Sequence, residues 1–167
     1  MSTSLHKQKL PGDIKIAVIS VSTTRKLSDD KSGTWIKKQA QRHGFEVVIH
    51  QTVTDDIDAI TELVRHVTEK IAPNAILLTG GTGISPKDVT IEAIRPLFKK
   101  ELTAFGTLFA LLSFDQIDSA AILSRATAGV IGQTAVFCMP GSLKACKLAC
   151  NELIFPEIGH MINHMRE

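Results

Sequence analysis

Four short apolar runs limit what this chain can become: IKIAVISV (14–21), FEVVIH (45–50), AILLT (75–79) and TAVFCM (134–139). None alternates strictly between apolar and polar residues, as a strand with one wet face would. Nearly continuous apolar runs of this length belong to parallel strands covered on both faces. Between the runs the spacing turns helical. In SGTWIKKQAQRHG, Ile36 and Ala40 share a face and Gly44 supplies a stop. In DDIDAITELVRHVTEKI, the series Ile57, Ile60, Val64, Val67, Ile71 keeps a three-and-four rhythm.

Residues 88–112 are less regular, and Pro96 is expected to kink or split them. The stretch LTAFGTLFALL then sets Leu102, Phe105, Leu108, Phe109 and Leu112 on a broad apolar face. SAAILSRATAGV (119–130) reads as a further helix, and GSLKACKLACNELI as the helix after the last strand. Strand–helix alternation predicts an α/β fold, three layers α/β/α around a mainly parallel sheet. Residues 14–167 are expected to form one domain, preceded by a flexible extension over 1–13. No repeat or linker interrupts them.

Composition narrows the function. The 167 residues are 44% hydrophobic and 22% charged, with 19 basic and 17 acidic side chains and net charge +2. A near-neutral chain with no Tyr and one Trp gives no support for a nucleic-acid or membrane-surface binder. No stretch is expected to approach the ~18 apolar residues of a membrane helix, and MSTSLHKQKLPGD lacks a signal-peptide core. Three cysteines make no disulfide framework, and the expected compartment is the cytoplasm.

Ligands of parallel sheets bind beyond the carboxyl ends of the strands. Three loops are expected there: STTRKLSDDKSG, TGGTGISPKD and PGS (140–142). A glycine pair alone is a tight turn. Gly80, Gly81 and Gly83 together with Thr79, Thr82 and Lys87 favour a nest of N–H groups for phosphate. Pro86 breaks G-x-G-x-x-G, and no Gly-Lys-Ser/Thr follows to make a P-loop.

Asp88 fits such a nest if a divalent cation lies between carboxylate and phosphate. Taken alone it is a helix cap. Asp55 or Asp56 after the second run, and Asp29 or Asp30 after the first, are expected at the same sheet edge. Arg125 pairs either with a helix carboxylate or with a phosphate. Cys138, Cys146 and Cys150 read as core residues. His160 and His164 have i,i+4 spacing but lack the glutamate of the zinc-protease motif, so no metal is assigned to them.

TGGTGISPKDVTIEA, LSRATAG, FCMPGSLKAC and DDKSG occur in that family's order, and the chain resembles the MogA/MoaB proteins of molybdenum-cofactor biosynthesis over residues 14–155. FGTLFALLSFDQI and MPGSLKAC bring it nearer the MoaB branch than MogA, and the plant Cnx1 and animal gephyrin G domains belong to the same group. The resemblance implies the molybdopterin-binding fold and a molybdopterin adenylyltransferase that joins the AMP part of Mg-ATP to molybdopterin and releases pyrophosphate. It implies catalytic, Mg²⁺-binding roles for Asp55 and Asp88, with Asp30 in the D-x-S-G of the first loop. Gly80 to Gly83 correspond to the nucleotide phosphate loop, and Pro140, Gly141 and Ser142 to the terminal phosphate turn. Ser22, Ser113, Ser124 and Arg125 fall where relatives handle nucleotide or pterin phosphate. Trimers or hexamers are implied as assemblies. Thr54 replaces a common proline, Leu143 follows PGS where many relatives have proline, and Cys138 stands where several have Asn.

A phosphate nucleophile is already anionic, so such a reaction needs charge neutralisation and positioning more than a strong base. The competing expectation is a non-catalytic molybdopterin carrier or scaffold, which shares the pocket without needing the carboxylates.

Overall fold

The computed structural model describes residues 14–24 and 26–167. The expected flexible extension, 1–13, lies outside the described residues. The chain runs β1 (Lys15–Val21), α1 (Lys31–Arg42), β2 (Glu46–Val53), α2 (Ile57–His66), β3 (Ala75–Thr79), α3 (Thr90–Ile94), β4 (Lys100–Glu101), α4 (Thr103–Ile117), β5 (Thr127–Ile131), β6 (Thr134–Met139), α5 (Leu143–Leu148) and α6 (Ile158–Arg166). Wider helical turns extend α2 through Val67–Ile71 and α5 through Ala149–Ile154.

The six strands lie in the order β2-β1-β3-β6-β5-β4. The β1–β2, β1–β3 and β3–β6 pairs are parallel, and β5 and β4 add antiparallel to that edge. The continuous apolar runs have a direct cause, since alternate residues feed two cores. Ile16, Val18, Leu77 and Phe137 point to a core with Ile36 of α1, Phe105 and Phe109 of α4, and Ile158 and Ile162 of α6. Ala17, Ile19, Ile76, Leu78 and Val136 point the other way, to Ile60 and Val64 of α2 and Ile91 and Ile94 of α3. Both faces are dry.

Two sequence expectations need correction. Residues 119–130 are not one helix: a short tight-helical turn, Asp118–Leu123, leads into β5. Thr127, Val130 and Ile131 suit a strand, and Gly132–Gln133 forms a two-residue turn into β6, with Ile131 opposite Thr134 and Gly132 at φ 59°. The hairpin outweighs the helical spacing. Pro96 does split its region: α3 ends before it, and α4 starts only after the short β4.

The second correction concerns length and hydropathy. Thr103–Leu123 is a 21-residue helical run containing an 18-residue window of mean hydropathy 1.2, long and apolar enough by length and composition alone to cross a membrane. Phe105 and Phe109 enter the core, with Phe105 edge-on to Phe137. Leu111, Phe114 and Ile122 face outward at 61%, 54% and 84% exposure. Asp118, at φ 51°, breaks the run between α4 and the following turn.

Candidate functional site at the strand ends

The parallel pairing brings Ser20, Thr79 and Met139 level across β1, β3 and β6, so the three following loops emerge side by side. The glycine loop is built for close approach. Gly80 and Gly81 have φ of 100° and 63°, a left-handed geometry that side chains resist. A methyl group on Gly80 would lie 2.5 Å from the Val21 carbonyl oxygen, and one on Gly81 2.5 Å from Thr90 Oγ1.

Hydrogen bonds lock the loops together. Gly80 N–H donates to the Met139 carbonyl (3.0 Å), and Thr90 donates to the Gly80 carbonyl through Oγ1 (2.8 Å) and to the Gly81 carbonyl through its N–H (2.9 Å). Thr79 Oγ1 donates to the Pro140 carbonyl (3.0 Å), and Ser32 Oγ to the Gly141 carbonyl (2.9 Å). Gly141 comes so close that an added methyl would sit 3.2 Å from Gly80 Cα. Ser142 Oγ accepts from Ala145 N–H and caps α5.

Between the loops lies a cavity of about 130 Å³, bordered by Ser22, Asp30, Ser32, Gly80, Gly81 and Gly141 among others. Its floor is a buried polar knot. Asp30, 2% exposed, accepts from Ser20 Oγ (2.5 Å) and from Gly33 N–H at the start of α1 (2.9 Å), and pairs with His50 Nε2 (3.1 Å). Burial alone pushes the Asp30 carboxyl up, but the hydrogen bonds from Ser20, Gly33 and His50 prevail and hold it below the ordinary aspartate range. Asp29, beside it, is exposed.

The Asp55–Asp56 ambiguity resolves in the structure. Asp56 caps α2, its Oδ1 accepting from Ala59 N–H (2.8 Å). Asp55 turns back, and its Oδ2 accepts from both the N–H (2.7 Å) and the hydroxyl (2.8 Å) of Thr23. Its Oδ1 stands 3.6 Å from where a methyl on Gly81 would be. Asp88 caps no helix: residue 89 occupies the cap position of α3, with no side-chain cap bond. Asp88 Oδ2 instead accepts from Ser85 N–H (2.8 Å) and sits 2.7 Å from a methyl built on Gly83. The two carboxylates therefore flank the same four-residue loop.

Of the two partners open to Arg125, the structure provides the helix carboxylate. Its Nε donates to the Thr82 and Gly83 carbonyls (2.8 and 3.0 Å), and its outer nitrogens grip both oxygens of Glu92 on α3 (2.6 and 3.2 Å). The guanidinium thus ties the glycine loop to α3 and holds the Glu92 carboxyl below its usual range. Thr82 is buried in this loop, its hydroxyl lacking a hydrogen-bond partner among the described residues. Lys87 is exposed.

Ser113 and Ser124 do not border the first cavity. They line a second depression of about 80 Å³ with Gln116, Pro140, Ser142 and Lys144, across the 140–142 turn. Residues the sequence reading missed are the supports: Ser20, Thr23, Ser32, His50, Thr90 and Glu92. The polar Ser20 inside IKIAVISV and His50 at the end of FEVVIH were the available signals, each out of place in an apolar strand. Cys146 is buried as expected, its Sγ 3.0 Å from Thr79 Oγ1 beneath the loops.

Residues 17–160 match the family described as "Probable molybdopterin binding domain". The chain is 47% identical to "Molybdenum cofactor biosynthesis protein B" of Bacillus subtilis (strain 168), covering 100% of this chain and 99% of that one. Among solved structures, a crystal structure of a "Molybdenum cofactor biosynthesis protein B" superposes with TM-score 0.90 at 39% identity over 93% of this chain and 98% of that one. The "tungsten cofactor synthesizing protein MoaB from Pyrococcus furiosus" superposes with TM-score 0.83 at 38% identity, over 94% and 99%. With strand order, loops and full-length likeness in agreement, the chain belongs to the MoaB branch of the molybdopterin-binding domain family.

Proposed function

We propose that this chain serves molybdenum-cofactor biosynthesis as a molybdopterin adenylyltransferase, moving AMP from Mg-ATP to the terminal phosphate of molybdopterin. A molybdopterin phosphate oxygen bonds to the α-phosphorus of ATP, the bond to the β-phosphate breaks, and pyrophosphate carries away the electron pair. The observation that supports this most is the pair of carboxylates flanking the left-handed glycine loop. Asp55 and Asp88 each have Oδ2 anchored by a backbone N–H, while Oδ1 makes no hydrogen bond among the described residues.

Two such oxygens fit the needs of Mg²⁺, which is usually held by one or two carboxylates, water and substrate phosphate. Bound there, the ion would offset charge on the phosphate oxygens and on the departing pyrophosphate. The chain's own part is positional. With Gly80 N–H taken by the Met139 carbonyl, the backbone N–H groups of residues 81–83 would meet the phosphates, Arg125 keeps that loop in place, and Pro140–Ser142 divides the two depressions so that each would receive one substrate's phosphate. Ser22 and Asp30 line the first depression; Ser113, Ser124 and Ser142 line the second.

The chain also self-associates in this reading, through α4. Leu108, Leu111, Phe114 and Ile117 form an exposed apolar stripe, and Ile117 reaches the edge of the second depression. A second copy seated there would bury the stripe and wall that depression.

Incubating the purified chain with molybdopterin and Mg-ATP tests the central reading. Pyrophosphate release matched by a mass gain of one AMP on molybdopterin is expected. Tight molybdopterin binding with no pyrophosphate would overturn the enzyme and leave a carrier.

A further inference from the structure

The end of the sheet opposite the glycine loop carries a second feature. There, at the start of β6 and under the Gly132 turn, lies a cleft of about 560 Å³ bordered by Leu102, Ala135, Met161, His160 and His164. The two histidines project from α6 with their rings 4.5 Å apart and their Nε2 atoms 2.8 Å from each other. Each also has an acidic neighbour on its other nitrogen. His164 Nδ1 is 3.3 Å from Glu167 Oε2, and His160 Nδ1 is 3.5 Å from Glu157 Oε2.

That pattern has a specific chemical meaning. A carboxylate beside Nδ1 favours the proton there and leaves the Nε2 lone pair for a ligand, as the outer partners of metal-bound histidines do. At 2.8 Å the two Nε2 atoms make a hydrogen bond when one ring carries its proton there. A metal ion can take that proton's place and bond both lone pairs. Nitrogens bound tetrahedrally to zinc at about 2.0–2.1 Å are roughly 3.3 Å apart, so the observed pair needs to open by about half an ångström. Side chains 42% and 62% exposed make that adjustment without disturbing the core.

The local charge is mixed. Glu157, Glu167 and the carbonyl end of α6 favour a cation. Lys99 and Lys100, which line the cleft, and Arg166 oppose it. Among the described residues no third acidic, thiol or imidazole side chain completes the set, so water fills the other positions. The missing zinc-protease glutamate is no obstacle to binding, because in that motif it is the general base of the reaction and not a zinc ligand.

We propose that His160 and His164 form a chelating site for one divalent transition-metal ion of the imidazole-preferring class, zinc being the type. It lies at the sheet end remote from Asp55 and Asp88 and is independent of the reading given to them. The test is calorimetric titration of the tag-free full chain with Zn²⁺ in the presence of excess Mg²⁺. One saturable equivalent per chain is expected, unchanged in Asp55→Asn/Asp88→Asn and weakened at least tenfold in both His160→Ala and His164→Ala. Cu²⁺ bound to the wild type should show electron-resonance couplings to two imidazole nitrogens, and to one in His164→Ala. Absence of saturable Zn²⁺ binding below millimolar concentration, or equal binding by the His160→Ala/His164→Ala double variant, overturns the proposal. Both substitutions are at exposed positions, and an unchanged melting curve will show that the variants are folded.

Discussion

Thr23 holds Asp55 by one carboxylate oxygen: both its N–H and its hydroxyl donate to Oδ2, at 2.7 and 2.8 Å, and Asp55 N–H returns a weaker bond to the Thr23 hydroxyl at 3.3 Å. The loop after β1 thereby fixes a side chain belonging to the loop after β2, and aims its second oxygen at Gly81. If Asp55 helps to carry the ion, Thr23→Val should leave the N–H bond, lose the hydroxyl bond, and let the carboxylate swing. The expected result is a roughly 10–100-fold fall in adenylyl transfer, typical of losing an outer-shell partner. The Mg²⁺ concentration for half-maximal rate should rise in step. A rate within twofold of wild type, at every Mg²⁺ concentration, would show that the clamp is only structural.

Asp88 calls for a gentler substitution than alanine. Its Oδ2 accepts Ser85 N–H, so removing the whole carboxylate would also release the loop. Asp88→Asn keeps an oxygen for that bond and removes only the charge. Pyrophosphate release should drop by about 10²-fold or more, the scale expected for lost charge stabilisation at the reacting phosphates, with the melting temperature nearly unchanged. Near-normal turnover in this variant would remove Asp88 from the chemistry.

Two glycines separate backbone strain from ligand contact. Gly44 at φ 82° has open space where a methyl would go, whereas Gly81 at φ 63° has Thr90 Oγ1 at 2.5 Å and Val21 Cγ1 at 3.3 Å. Gly44→Ala should cost on the order of 1 kcal/mol for the left-handed backbone, or about 2–4 °C in melting temperature for a chain of this size, and Gly81→Ala should cost more, since it adds the displacement of Thr90 to the same backbone strain. Only Gly81→Ala should also weaken AMP binding, since the methyl displaces Thr90 and its bond to the Gly80 carbonyl. Thermal melts paired with nucleotide titration distinguish the two. Equal AMP affinity in both variants would count against the nest.

The contrast between those glycines also shows where the sequence was legible. Near-continuous apolar runs foretold β1, β3 and β6 because both faces of those strands are dry, and the runs ended where the strands do. β2 extends to Val53, beyond the apolar FEVVIH, because an edge strand can carry His50, Gln51 and Thr52 half-buried. β5 was hidden because Ala, Gly and Thr in LSRATAGV spell no apolar run; its strand character comes from pairing with β6 and from Phe98 packed over Gly129. The loops at the strand ends announced themselves through glycine and aspartate. Their supports did not, since Thr23, Thr90 and Glu92 acquire meaning only from loops far away in the chain. The choice between Asp55 and Asp56 was likewise a matter of backbone direction, which residue type does not encode.

Asp30 links the pocket floor to acid stability. Its carboxyl titrates below the ordinary aspartate value because the donors Ser20, Gly33 and His50 outweigh the effect of burial. A group whose folded value is depressed stabilises the fold fully above its unfolded value, near pH 4, and loses that contribution as pH falls through the folded value. Melting temperature should therefore decline as pH drops below about 4, with the wild type falling more steeply than Asp30→Asn. At neutral pH the variant should be less stable by about 1–3 kcal/mol, because an amide offers one acceptor oxygen where the carboxylate offers two to buried donors. The two curves should converge in acid. Since Asp30 Oδ1 receives Gly33 N–H while Oδ2 takes Ser20 and His50, the loss should also loosen the start of α1, where Ser32 reaches the Gly141 carbonyl. Hydrogen exchange at Gly33 and the residues following it would reveal that loosening. Parallel melting curves with no convergence in acid would assign the acid sensitivity to other carboxylates and make the knot beneath the cavity a matter of packing alone.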